Sequence, residues 1–121
     1  MVLADTSIWV SHFRDKNPPH KSLLMEGYIV CHPFVIGDLA CENLKNREEI
    51  LSLLEALPTA TKASHEEILL FIEKNQLMGI DLDYVDVHLL ASALLSTALI
   101  WTKAKGLREA ADQLNIAYHP I

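Results

Sequence analysis

Three carboxylates stand where an α/β fold gathers its ligands. Asp5 closes the apolar run Val2-Leu-Ala4. Asp38 lies about one and a half turns into a helix that follows a second apolar run, Tyr28–Cys31. Asp86 lies near the start of a long helix that precedes a third run, Leu99–Thr102. In an open α/β sheet ligands collect beyond the carboxyl ends of the strands, and helix starts converge on that side. Three acids far apart in sequence can therefore meet at one edge. Carboxylates brought together raise one another's pKa, a conflict that a cation relieves. Each acid also has a local reading. Asp5 suits an Asx-turn, and Asp86 in a first helical turn complements the helix dipole. Asp38 is harder to place, because Asp is a poor helix former and its neighbours are Phe34, Val35, Leu39 and Ala40.

The elements that must carry these acids follow from the pattern of apolar residues and breakers. Residues 2–4 read as a strand, Ser7 as the cap of a helix over Ile8 to Phe13, and Asp15-Lys-Asn-Pro-Pro19 as its break. A short segment, His20 to Glu26, stops at Gly27 before the strand Tyr28–Cys31, which is apolar throughout and so reads as internal and parallel. Pro33 opens a helix to about Asn43, and Arg47 to Leu57 forms the next, ending at Pro58. Thr59 to Lys62 is ambiguous. Ser64-His-Glu-Glu67 is a capping box that opens a helix to about Met78, before Gly79. Asp83 to about Ala98 is strongly periodic, with Val85, Leu89, Ala93 and Leu94 on one stripe; Ala104 to Leu114 is the last helix, and Ile116–Tyr118 suits a sheet edge. Strands separated by helices imply a parallel sheet with right-handed crossovers and helices on both faces.

Composition narrows the class. The chain has 121 residues, half of them hydrophobic and 21% charged, which is the make-up of one folded domain that needs no disulfide or structural metal. The start lacks a basic segment and Asp5 interrupts its apolar run, so it is not a signal peptide. The uncharged stretch Leu89–Thr102 falls short of the ~20 residues of a membrane helix. Two cysteines, Cys31 and Cys41, suit small buried residues in a reducing compartment, and the expected location is the cytoplasm. Sixteen carboxylates against ten Lys and Arg give a net charge of −6, which argues against broad nucleic-acid binding while leaving room for a local basic rim.

Three blocks resemble the signature blocks of PIN-domain proteins, above all the VapC-type toxins of bacterial toxin–antitoxin pairs. They are Asp5-Thr-Ser-Ile-Trp-Val10, Val35-Ile-Gly-Asp-Leu-Ala40 and Tyr84-Val-Asp-Val-His-Leu-Leu-Ala-Ser-Ala93. The likeness runs nearly end to end, with Ile100-Trp-Thr102 and the closing helix included, and identifies residues 1–121 as a single PIN domain. It implies a PIN-like three-layer α/β/α sandwich with a central, mainly parallel sheet. It also implies a Mg²⁺- or Mn²⁺-dependent endoribonuclease that hydrolyses RNA phosphodiester bonds.

By that resemblance Asp5, Asp38 and Asp86 are the catalytic and metal-binding acids, with Asp38 replacing the family's usual Glu. Thr6, Ser7 and Thr102 support the carboxylates or the phosphate. Glu42, one turn beyond Asp38, is a candidate substitute acid. The family's fourth acid is missing, because Thr102-Lys103-Ala104 stands where Thr-Arg-Asp is usual. Natural decay and a deliberate inactivating substitution are both open, and the good state of the other blocks favours the second. A weak metal site and little turnover follow. Lys45, Arg47, Lys103, Lys105 and Arg108 are candidate RNA-rim residues, His88 a core or hydrogen-bonding residue, and Trp9 and Trp101 core residues.

The expected partners are a cognate VapB-type antitoxin, an RNA substrate and a second toxin copy, with no membrane and no direct DNA binding without the antitoxin. A competing reading, favoured by Ala104, is an inert PIN-fold module that acts by binding antitoxin or RNA. A receiver-type phosphoacceptor of this length would need an Asp closing a mid-chain strand, where this chain has the helix Arg47 to Leu57.

Overall fold

The apolar run after Met1 forms the central strand. In the computed structural model, which describes residues 1–15 and 18–120, β1 (Val2–Ala4) pairs in parallel with β2 (Ile29–Val30) and with β3 (Leu99–Trp101). Single parallel bridges, Cys31 to Thr59 and Ile100 to Ala117, extend the sheet at its two edges. Thus β2 borders the three-stranded sheet and becomes internal only through the Cys31 bridge, while the 116–118 segment closes the other edge as expected.

Seven helices surround the sheet among the described residues: α1 (Thr6–Asp15), α2 (Pro18–Met25), α3 (Pro33–Ala40), α4 (Arg47–Ala56), α5 (His65–Lys74), α6 (Tyr84–Leu95) and α7 (Lys105–Gln113). The chain steps from β1 to β2 to Thr59 in one direction, then returns past β1 to β3 and Ala117. Right-handed crossovers then put α1–α4 on one face and α5–α7 on the other, a three-layer α/β/α sandwich. The packing agrees, with α1 against α2 and α3, α3 against α4, and α5 against α6. Leu3, Ile8, Leu39, Leu54, Ile68, Leu90, Ile100 and Leu107 fill the layers on both sides, and Trp9 and Trp101 are core residues.

Several boundaries differ from the sequence-based expectation for identifiable reasons. α1 starts at Thr6, capped by Asp5 rather than Ser7: the Asp5 carboxylate accepts the Ile8 N–H at 3.2 Å and its carbonyl the Trp9 N–H at 3.3 Å. The two prolines expected to prolong a break instead open α2; Lys16 and Asn17 of that break lie outside the described residues. α3 is capped by His32, whose Nδ1 accepts the Phe34 N–H at 3.0 Å, and it stops at Ala40. There the Arg47 guanidinium donates to the Ala40 carbonyl at 2.5 Å, a long-range C-cap.

The Ser64–Glu67 capping box opens α5, but Asn75 ends the helix early by donating to the Phe71 carbonyl at 3.0 Å. α6 has no simple apolar stripe, since Val87 to Ala93 are all buried and Leu94 faces outward. Cys31 is buried, which pushes its thiol up to about 11, whereas Cys41 is exposed and not the buried residue expected. Among the described residues no helix is long and apolar enough to cross a membrane.

Candidate active site

The strand order reverses direction between β1 and β3, and at such a switch point an open α/β sheet leaves a crevice beyond its carboxyl ends. The residues that close the two strands meet across it. Asp5 Oδ1 accepts the Ser7 hydroxyl at 2.5 Å and the Ile8 N–H at 3.2 Å, while Oδ2 accepts the Thr102 hydroxyl. Thr102 Oγ1 in turn accepts the Ala104 N–H at 2.9 Å, and Ser7 Oγ accepts the Lys103 N–H at 3.0 Å. Lys103 Nζ donates to Ser11 Oγ at 2.7 Å. The loops after β1 and β3 are thereby stitched together around one buried carboxylate, 7% exposed.

Burial pushes the Asp5 carboxyl above its ordinary value, outweighing the hydrogen bonds from Ser7, Thr102 and Ile8. Asp86, half-buried near the start of α6, is raised as well. Burial is the main cause, and the charges of Asp83 and Asp5 add to it against one backbone hydrogen bond from Asp83. The repulsion between Asp5 and Asp86 is the electrostatic mark of two carboxylates held on one edge. Asp38 joins them from α3, exposed, its Oδ2 accepting the hydroxyl of Thr6 at 3.0 Å.

Asp86 is fixed by a second capping box. Its carboxylate accepts the Asp83 N–H at 3.1 Å, and the Asp83 carboxylate accepts the Asp86 N–H at 2.8 Å. The sequence reading starts the helix at Asp83 but misses its capping role, although Asp83-x-x-Asp86 has the spacing that identifies Ser64-x-x-Glu67. With these bonds counted, one oxygen of Asp38 and one of Asp86 are unclaimed among the described residues, as is a lone pair on Asp5 Oδ2. Such oxygens suit a hard cation in kind. In number they fall short, for among the described residues no three His, Cys, Asp or Glu side chains close into a metal-holding group.

The remaining sequence candidates divide in two. Thr6, Ser7 and Thr102 are at the acid edge, one hydrogen bond from a carboxylate, and Lys105 is exposed in the first turn of α7. Lys103 and Arg108 line a cleft beside Thr102. Glu42 does not share a helical face with Asp38, because α3 ends two residues before it. Glu42 and Lys45 line a separate concavity beside Val10, Phe13 and Arg14, in the second half of α1. Arg47 is occupied as the cap of α3. His88 is a core residue, 2% exposed, edge-packed on Phe34 and Tyr84 at 4.7 and 4.6 Å between ring centres.

No family model matches the chain. Ribonuclease VapC32 of Mycobacterium tuberculosis, in each of two strains, is 36% identical over 118 residues, spanning 97% of this chain and 95% of the relative. The chain belongs to the VapC-type toxin family of PIN-domain proteins. The fold agrees: the crystal structure of FitAcB from Neisseria gonorrhoeae superposes with a TM-score of 0.63 at 15% identity, covering 93% of this chain and 94% of that one.

In this VapC-type chain three of the four positions expected from the sequence to carry the site's acids stand at helix starts. Asp5 caps α1, Asp86 is the third residue of α6, and Ala104 holds the N-cap position of α7 without a side-chain bond. The positive ends of three helices therefore point at one edge of the sheet. Ala104 is joined to Asp5 through the single hydroxyl of Thr102.

Proposed function

We propose that this chain is a metal-dependent endoribonuclease toxin by descent. It would hydrolyse RNA phosphodiester bonds at the edge formed by Asp5, Asp38 and Asp86, with turnover weakened or lost because Ala104 stands at the fourth acid position. The observation that carries the reading is a pair of raised carboxyls, Asp5 and Asp86, at the switch point of the sheet, the charge of Asp5 adding to the burial that raises Asp86, in a chain matched along 97% of its length by a ribonuclease. Asp5, Asp86 and Asp38 would hold Mg²⁺ or Mn²⁺. When bound, such an ion neutralises phosphate charge and lowers the pKa of an attacking water.

The chain's own residues supply the positioning. Ser7, Ile8 and Thr102 lock the Asp5 carboxylate, support of a kind worth ~10–100-fold in affinity or activity. Asp83 fixes Asp86 through the reciprocal bonds of their capping box. Asp38, the most exposed of the three acids, is held by Thr6 where it can bind the ion or take the proton of an incoming water. Ala104 can neither ligate nor orient water. In this reading the protein works in the cytoplasm as a homodimer restrained by a cognate VapB-type antitoxin.

A second reading, the inert module that binds antitoxin or RNA, is favoured by Ala104 together with the missing third partner for a metal group among the described residues. Thermal unfolding in EDTA and in Mn²⁺ separates the two. On the nuclease reading Mn²⁺ at about 100 times its Kd stabilises the Ala104→Asp form by ~2.7 kcal/mol, the native chain less, and Asp86→Asn abolishes the effect. Indifference of the Ala104→Asp form to Mn²⁺ would establish the inert module.

A further inference from the structure

A cleft of about 450 Å³ opens next to Thr102, the residue that holds Asp5. Ile8, Pro19, Lys103, Arg108, Tyr118 and His119 are among the residues that line it. It lies within the roughly 300–1,000 Å³ range of small-ligand sites. The chain carries sixteen carboxylates against ten Lys and Arg, yet no residue lining this cleft is acidic.

The charge of Arg108 is held in place without being cancelled. Its Nη2 donates to His119 Nδ1 at 3.4 Å, and His119 Nε2 donates to Asp112 at 2.7 Å. A guanidinium only donates, so Nδ1 is the acceptor in the Arg108 contact. Asp112 is thus satisfied by His119, and Arg108 keeps its charge and most of its donors for the cleft. Beside it the half-buried Tyr118 ring is braced edge-on against Trp101 at 5.2 Å between ring centres, with a 62° angle. A fixed cation beside a braced aromatic ring has the chemistry of a nucleotide site, a phosphate on the guanidinium and a base on the ring.

We propose that this cleft binds the nucleotide of a single-stranded RNA that adjoins the scissile phosphate, with Arg108 on its phosphate and Tyr118 on its base. The proposal rests on the ribonuclease reading and adds a subsite drawn from the two ends of the chain. Tyr118, which the sequence reading places only at a sheet edge, and His119 become binding and positioning residues.

The test uses the native chain in EDTA, where Ala104 and the absence of metal prevent cleavage. Binding of a short, mixed-sequence, fluorescein-labelled single-stranded RNA is followed by anisotropy at several salt concentrations. Arg108→Gln should weaken binding about tenfold and lower the slope of log K against log salt by about 0.7, the loss of one phosphate contact. Tyr118→Leu should weaken binding to a similar degree with the slope unchanged, because stacking carries no counterions. His119→Ala should weaken it less than Arg108→Gln does, and Lys74→Gln on α5 should match the native chain. Native affinity and slope in both Arg108→Gln and Tyr118→Leu overturn the cleft and leave the ribonuclease reading intact. No RNA binding by either the native chain or its Ala104→Asp form overturns both.

Discussion

His32 couples the position of α3, and with it Asp38, to pH. The ring is fully buried; Nδ1 accepts the Phe34 N–H at 3.0 Å and Nε2 donates to Ser92 Oγ at 3.0 Å. A backbone N–H can only donate, so the native ring is neutral. Burial, with the nearby His88 and Lys62 adding to it, lowers its pKa from 6.5 to about 4. Between those values the unfolded chain takes up a proton that the folded chain refuses. His32 therefore contributes stability that is full above 6.5 and is lost as pH falls towards 4. At 1.36 kcal/mol per pKa unit the shift corresponds to about 3 kcal/mol, a large share of the roughly 5–15 kcal/mol that holds a domain together. His32→Asn keeps a capping oxygen but cannot titrate in this range. Urea unfolding at pH 7 and pH 4 should show the native chain losing about 3 kcal/mol more than His32→Asn. His20, whose pKa burial also lowers to about 4, is present in both proteins and cancels in the difference. Equal losses would refute the argument.

Two further perturbations probe the start of α7. A Cβ at Gly106 would lie 2.0 Å from the carbonyl oxygen of Asp81, a backbone atom that cannot swing away. Gly106→Ala should therefore cost ~1–3 kcal/mol, read as a lowered urea midpoint. Because the 81–83 segment leads into Asp86, the variant should also weaken Mn²⁺ stabilisation of the Ala104→Asp form. At the uncapped position 104, Ala104→Asn should stabilise the protein in EDTA by ~0.5–2 kcal/mol through a new N-cap. Ala104→Asp should gain less there, because it adds a charge beside Asp5, and should overtake Asn once Mn²⁺ is present; the same gain for both in both buffers would separate position 104 from the acid cluster.

The sheet was legible because its strands are uninterrupted apolar runs, and α5 because a capping box is a local signal. The approach of Asp5 and Asp86, with Asp38 bonded to the neighbouring Thr6, is what topology leads one to expect, since helices on one side of a parallel sheet begin at a common edge, although no three acids close into a metal-holding group among the described residues. What escaped was decided by contacts distant in sequence or by competing local signals. Arg47 ends α3 from beyond the helix, which removes Glu42 from the face of Asp38. Asp5 and Ser7 are both good caps two residues apart, and the Asp5 carboxylate wins because Thr102 holds it from β3. The stripe on α6 vanished because the sheet, α5 and the start of α3 cover the helix from several sides, as the His32–Ser92 bond illustrates. The cleft beneath Arg108 joins residues from α1, α2 and the last strand, a meeting that no spacing announces.

Whether Asp5, Asp38 and Asp86 form a nuclease site lacking one acid is decided by Mn²⁺-dependent cleavage of total cellular RNA by the native chain and its Ala104→Asp form, side by side. The Ala104→Asp form should cut, EDTA or Asp86→Asn should stop it, and the native chain should cut weakly or not at all. Failure of the Ala104→Asp form to cut any RNA in Mn²⁺, or cleavage that persists with Asp86→Asn, would contradict that assignment.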